Sequence, residues 1–245
     1  MIRLIVSLCL AFLIAATLGC AASGAGGREV PVVQGDNGCV PAVIEATAGE
    51  KLDLRVKNET GNTYEIEGID GTNLEEVLVP EGRSRSIGYR VPETGGVSKL
   101  KCYVPGGVST IIEIRAGEGV ISATEDDAAD DREADASRAD ATVNVSLVDY
   151  AVIPDVDTID AGTVRFAATN DSGSLVHELA VLTVNTDGSL ENLGEIEDIA
   201  PGEGGAITVD LEPGSYQLAC LLIPGEAGST RDHYQEGMWT AFTAE

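Results

Sequence analysis

The chain has 245 residues, 41 acidic against 15 basic, and a formal net charge of −26 that repels phosphates and excludes nucleic acid as a partner. Only 4% of residues are aromatic, whereas 29 Gly and 9 Pro interrupt short apolar runs rich in Val and Ile. That pattern reads as strands and turns, an all-β chain long enough for two compact domains.

The first element is a leader. Arg3 is followed by an apolar run from Leu4 to Leu18, the length of a secretory core and short for a membrane span. It ends at Thr17-Leu18-Gly19-Cys20, which resembles a bacterial lipoprotein signal, although Thr17 stands where Leu is usual. That resemblance implies a signal peptide over 1–19, lipidation of Cys20, and a membrane-anchored chain facing the periplasm or cell exterior. Ordinary cleavage nearby would release a soluble exported protein instead. Residues 20–30, rich in Gly, Ala and Ser, read as a flexible tether.

From residue 31 to 116 the chain reads as a small antiparallel sandwich. Val43–Ala46, Leu52–Val56, Tyr64–Ile66, Ser86–Tyr89, Leu100–Val104 and Thr110–Ile114 are short and β-branched, separated by Gly, Asn and Pro turns. Residues 117–141 break the pattern. Glu125 to Asp135 is acidic, Ala-rich and free of aromatics, so a solvated, disordered linker is expected. From 142 to 245 a second sandwich is predicted, with strands at Val143–Leu147, Thr163–Thr169, Val176–Leu182, Ala206–Leu211, Ser215–Leu222 and Met238–Thr243. Asn185 to Gly204 reads as a loop, with Asp187-Gly188 as a turn.

The halves carry the same signals in the same order. Ala48-Gly49 to Asn58 corresponds to Ala161-Gly162 to Asn170, and Lys101-Cys102-Tyr103 corresponds to Ala219-Cys220-Leu221. A repeat of about 110 residues implies duplication of one β-domain. Charge divides unevenly between the copies: residues 142–245 hold only Arg165 and Arg231 against 18 acidic residues. Such a surface serves solubility or attracts a basic face on another protein.

Past the leader, Cys39 and Cys102 lie in the first half and Cys220 stands alone in the second. Two thiols in one exported domain tend to pair, and an odd one needs a reason such as metal ligation. The chain has 2 His, His177 and His233, which lie 43 residues before and 13 after Cys220. Met238 follows five positions after His233. Thiolate, imidazole and thioether are the donors that select copper over calcium or magnesium, and a thioether is a poor zinc ligand.

These residues, in this order with Pro213-Gly214-Ser215-Tyr216 before Cys220, resemble the cupredoxins, the plastocyanin and azurin family of blue copper domains. The resemblance covers nearly all of residues 142–245. It implies a Greek-key β-sandwich, one type 1 copper ion held by His177, Cys220, His233 and Met238, and one-electron transfer without catalysis. For an electron carrier, the acidic second domain leads us to expect a redox partner with a basic docking patch, and a monomer is expected. The Cys220–His233 spacing departs from the family by a long insert over 221–232, which is expected to fold outward. The first domain resembles a degenerate cupredoxin: Tyr64 and its neighbours stand where the first His belongs, and neither His nor Met follows Cys102. There a Cys39–Cys102 disulfide is expected, the rival being two reduced thiols that bind metal transiently. With two His in all, the extra copper centres of multicopper oxidases and nitrite reductases are not expected. A copper-delivery or partner-binding lipoprotein without a redox role is the alternative function.

Overall fold

The computed structural model describes residues 27–117 and 139–245. The predicted signal peptide, Cys20, most of the tether and most of the acidic linker lie outside the described residues. Within them, no helix is long and apolar enough to cross a membrane.

Nine strands build the first domain: β1 (Arg28–Gly35), β2 (Gly38–Val40), β3 (Val43–Ala46), β4 (Lys51–Asn58), β5 (Tyr64–Ile69), β6 (Val77–Val79), β7 (Ser84–Arg90), β8 (Gly96–Tyr103) and β9 (Ser109–Ala116). Nine more build the second: β10 (Ala141–Val148), β11 (Ala151–Pro154), β12 (Thr158–Ile159), β13 (Gly162–Asn170), β14 (His177–Val184), β15 (Leu190–Ile199), β16 (Gly204–Leu211), β17 (Gly214–Ala219) and β18 (Trp239–Ala244). Each domain pairs a four-stranded sheet with a five-stranded one. The orders are β2-β1-β4-β7 with β3-β9-β8-β5-β6, and β11-β10-β13-β16 with β12-β18-β17-β14-β15. Adding nine to each strand number of the first domain reproduces the second, so the repeat read from the sequence is a repeat of topology. The expected all-β fold of two tandem cupredoxin-like sandwiches is the fold observed.

Alternation drives each sandwich. In β4, Leu52, Leu54 and Val56 face the core while Lys51, Arg55 and Lys57 face water. Phe166 and Phe242 meet edge to face at 5.5 Å in the second core. In the first, Cys39 of β2 and Cys102 of β8 form a disulfide between the two sheets, with Cα atoms 6.2 Å apart. Closing a loop of 63 residues contributes about 4 kcal/mol in the chain-entropy account.

Three sequence boundaries change. The tether gives way to strand at Arg28, because Val30 is buried and Arg28 enters a parallel register with β4, opposite Leu52. The loop expected from Asn185 to Gly204 contains β15, paired along β14 from Ile199 opposite His177 to Leu190 opposite Val184. Its acidic residues broke the apolar alternation that marks a strand. Finally, β17 stops at Ala219, so Cys220 to Leu222 leave the sheet rather than extend it.

Both β5 and β14 are buried along their first six residues, on both faces. One face of each enters its own core, and the other faces the opposite domain. Tyr103 packs there with Ala180, Leu182, Ala219 and Leu221 in a cluster that spans both domains. Lys101, itself buried, lies 3.1 Å from Glu226 and 3.8 Å from Glu178 of the second domain and 3.4 Å from Glu67 of its own. The domains therefore meet through their five-stranded sheets.

Candidate metal centre

His177 opens β14, and what precedes it is fixed by a side chain. Asn170 is fully buried; its Nδ2 donates to the carbonyls of Leu175 (2.8 Å) and Ile199 (2.7 Å), and its Oδ1 accepts from Ser172 N at 3.0 Å. The loop from 171 to 176 is thus tied on both flanks of the histidine. Asn58 does the same in the first domain, donating to Asn62 and Val79 carbonyls. The matching asparagines were visible in the repeat, but nothing in the sequence gave them this role.

Cys220 follows β17, where its backbone N–H donates to the Met238 carbonyl at 3.0 Å. His233 N donates to Leu222 O (2.9 Å), and Met238 N donates to His233 O (3.0 Å). These three bonds lace one loop, and the lacing brings Cys220, His233 and Met238 together from eighteen residues apart in sequence. Gly237 turns the chain at φ 97°, a left-handed conformation that suits glycine, and its N–H donates to Tyr234 O at 2.9 Å.

The donor atoms converge. His177 Nδ1 and His233 Nδ1 lie 3.3 Å apart, and Cys220 Sγ lies 3.3 Å from His233 Nδ1. One ligating atom from each of the three side chains falls within 4.8 Å of the other two, and all three residues are buried. Two imidazole nitrogens about 2.0 Å from one ion and 3.3 Å apart subtend roughly 110° at it, an angle compatible with a trigonal or tetrahedral centre. Met238 is fully buried in the same core cluster as Cys220. The residues present fit a thiolate, two-imidazole site with a thioether at hand.

The tautomer of His233 follows from its neighbours. Ser229 Oγ donates to the Arg231 carbonyl (2.8 Å), so at His233 Nε2, 3.2 Å away, it accepts. The proton sits on Nε2, and the Nδ1 lone pair faces the cysteine. His177 Nε2 is buried with no hydrogen-bond partner among the described residues, with Asp149 3.7 Å away. Burial lowers the pKa of His177 against the pull of Asp149; burial and His177 together lower that of His233 to about 4. Both rings are therefore neutral near neutral pH, the form that ligates metal. Burial, then the nearby Glu178 charge, pushes the metal-free Cys220 thiol up, while the Glu178 backbone N–H donates to Sγ at 3.5 Å. A cation bound there would have to displace the thiol proton. Tyr150, at φ 62° beside the site, stands edge-on to the His233 ring at 5.4 Å.

The insert does not fold outward. Leu221, Leu222 and Ile223 are buried, and the insert runs across the interface onto the first domain. Lys99 Nζ donates to Gly225 O (2.6 Å) and Asp70 Oδ1 accepts from Ala227 N (2.8 Å). Glu226 accepts from Lys101, and Glu178 takes the Leu221 N–H at 2.5 Å. Three consecutive apolar side chains could not be left in water. One consequence is that His233 is only 2% exposed, and another is that Ser229, invisible as a site residue in the sequence, comes to anchor its ring. In the first domain, Tyr64 opens β5 as His177 opens β14, and its hydroxyl donates to Gly35 O at 2.8 Å. Cys102 there is consumed by the disulfide.

No protein-family model matches this sequence, and no curated protein sequence matches it. Among solved structures it is similar to dithionite-reduced auracyanin from the photosynthetic bacterium Roseiflexus castenholzii, with 18% identity over 44% of this chain and 98% of that one and a TM-score of 0.34. It is also similar to the copper-containing nitrite reductase of Thermus scotoductus SA-01, with 14% identity over 83% of this chain and 54% of that one and a TM-score of 0.29. A third is the copper nitrite reductase of Nitrosomonas europaea, with 10% identity over 89% of this chain and 94% of that one and a TM-score of 0.30.

Proposed function

We propose that this chain is an exported, lipid-anchored one-electron carrier with a single type 1 copper ion in its second domain, held by His177, Cys220, His233 and Met238. The observation that carries the reading is the buried convergence of His177 Nδ1, His233 Nδ1 and Cys220 Sγ. Copper bound there would supply reversible exchange of one electron. The chain's own residues supply the rest. Ser229 holds the His233 ring with Nδ1 inward, Asn170 fixes the entry to His177, and backbone N–H groups face the cysteine sulfur. Donors tied in this way cannot rearrange freely between two oxidation states, which keeps the cost of electron exchange small. The acidic second domain suits docking on a basic face of a redox partner.

The test is spectroscopic. Copper added to the purified chain is expected to give an intense blue thiolate-to-copper absorption at one ion per chain, and Cys220→Ser is expected to abolish it. A chain that stays colourless with Cu(II) overturns the assignment. A blue chain that accepts no electron from any carrier would instead favour copper delivery.

A further inference from the structure

A second group of donors lies away from the copper ligands, where the five-stranded sheets meet. Glu67 of β5, Glu76 just before β6 and Glu195 of β15 each place a carboxylate oxygen within 4.8 Å of the other two. Asn192 knits them: its Nδ2 donates to Glu76 (3.1 Å) and Glu195 (3.2 Å), and its backbone N–H donates to Glu65 at 3.3 Å. The cation nearest to hand, Lys101, is already shared among Glu67, Glu178 and Glu226. One ammonium therefore faces six carboxylates.

Two further buried groups beside the cluster lack a hydrogen-bond partner among the described residues. Glu65 is fully buried and its Oε2 has no hydrogen-bond partner among the described residues; nor has the hydroxyl of Tyr103, which is 2% exposed. Tyr103 stands directly opposite Glu65 in the antiparallel pairing of β5 with β8, so the two side chains share the face that carries the cluster. A buried carboxylate oxygen and a buried hydroxyl left unpaired are each costly, and a bound cation resolves the first while orienting the second. Glu76 is exposed and gives the cluster an opening to solvent. The donors are all oxygen, with no sulfur or imidazole, which selects a hard ion. Calcium–oxygen distances of about 2.3–2.6 Å allow oxygens up to roughly 5 Å apart to share one ion, the span found here.

We infer that Glu67, Glu76 and Glu195, with Glu65 behind them, bind one hard divalent cation of the calcium class, bridging the two domains. Glu65, Glu67 and Glu76 come from the first domain and Glu195 with Asn192 from the second, so the ion would tie one sheet to the other. Burial, then the charge of Glu76, raises the Glu65 pKa to about 8; burial, then the charge of Glu67, raises that of Glu76 to about 7. These are the responses of carboxylates without a counter-ion.

The full chain, freed of metal with a chelator, is titrated with Ca2+, Mg2+ and Mn2+ while thermal unfolding is followed. Tb3+ emission excited through tyrosine reports occupancy beside Tyr103. The expected result is one Ca2+ per chain, a raised unfolding midpoint, and Tb3+ emission that Ca2+ quenches by displacement. Glu76→Gln, at an exposed position that keeps the fold, is expected to weaken Ca2+ by roughly tenfold or more, and Glu76→Gln with Glu195→Gln to abolish it. Cys220→Ser is expected to retain it, which separates this site from the copper centre. Binding of Mg2+ or Mn2+ in place of Ca2+, weakened by Glu76→Gln, also supports the site. No midpoint shift and no sensitised Tb3+ emission with the wild-type chain overturns it, as does a Glu76→Gln chain that binds as tightly as wild type.

Discussion

Ser229 illustrates how much one small side chain decides at the proposed copper centre. Its oxygen accepts from the His233 Nε2–H (3.2 Å) and from Arg231 N (3.1 Å), while its own proton goes to the Arg231 carbonyl. It thereby fixes the imidazole tautomer without touching the metal position. Ser229→Ala is expected to cost about 1 kcal/mol of stability and to weaken copper about ten- to a hundredfold, since the ring loses its anchor. Equilibrium competition against a copper chelator measures this; unchanged affinity would show that the loop backbone alone orients His233. Met238 differs in kind, because its backbone binds both Cys220 N and His233 O, so its place in the loop survives a change of side chain.

At the scale of elements, β5, β8 and β14 carry charge where a sandwich edge ordinarily carries solvent. Glu65 and Glu67 alternate with Tyr64 and Ile66, so the polar face of an ordinary half-buried strand has been turned against another domain. Its pH dependence has a definite sign. A carboxyl whose pKa is raised on folding holds its proton longer in the folded state, so its contribution is full below the unfolded value and is lost as pH rises through the folded one. Glu65, at about 8, and Glu76, at about 7, act in this direction from roughly pH 4.5 upward. His233, lowered to about 4, acts oppositely, favouring the folded state as pH rises from about 4 to 6.5. Above pH 6.5 only the carboxylates continue to titrate. The stability of the metal-free chain is therefore expected to fall between pH 6.5 and 8, by up to about 1.4 kcal/mol per pH unit for each proton retained, less for the exposed Glu76, and its unfolding midpoint with it. Calorimetry at fixed ionic strength in a chelator checks it, and a flat or rising midpoint across that window refutes it.

For the whole molecule, the first domain contributes none of the four proposed copper ligands yet supports the loop that carries three of them. Lys99, Lys101, Asp70 and Tyr103 grip the insert from outside the second sandwich. Gly106, at φ 68°, lets Tyr234 lie so close that an added Cβ would fall 2.6 Å from its ring. A chain beginning at residue 139 carries all four proposed copper ligands and a complete core, so it is expected to fold and take up one copper. It would expose Leu182 and Leu221, and its unfolding midpoint is expected to lie below that of the second domain in the full chain. A folded fragment that binds no copper would show the ligand assignment to be wrong.

The sequence by itself determined the all-β class, the duplication, the strand cores and the four candidate copper ligands. These depend on local alternation, turn residues and the rarity of His and Met, all of which are written along the chain. Asn58 and Asn170 were legible as a match, though their task of tying a loop to the next strand was not. Tertiary structure alone decided the path of the insert, the strand β15, and the grouping of Glu65, Glu67, Glu76 and Glu195. Acidic residues on an outer strand face read as solvated when taken one strand at a time, and only the packing of one five-stranded sheet on another takes the water away. The same packing turns the insert inward, because Leu221 joins the apolar cluster between the domains while Leu222 enters the core of its own sandwich.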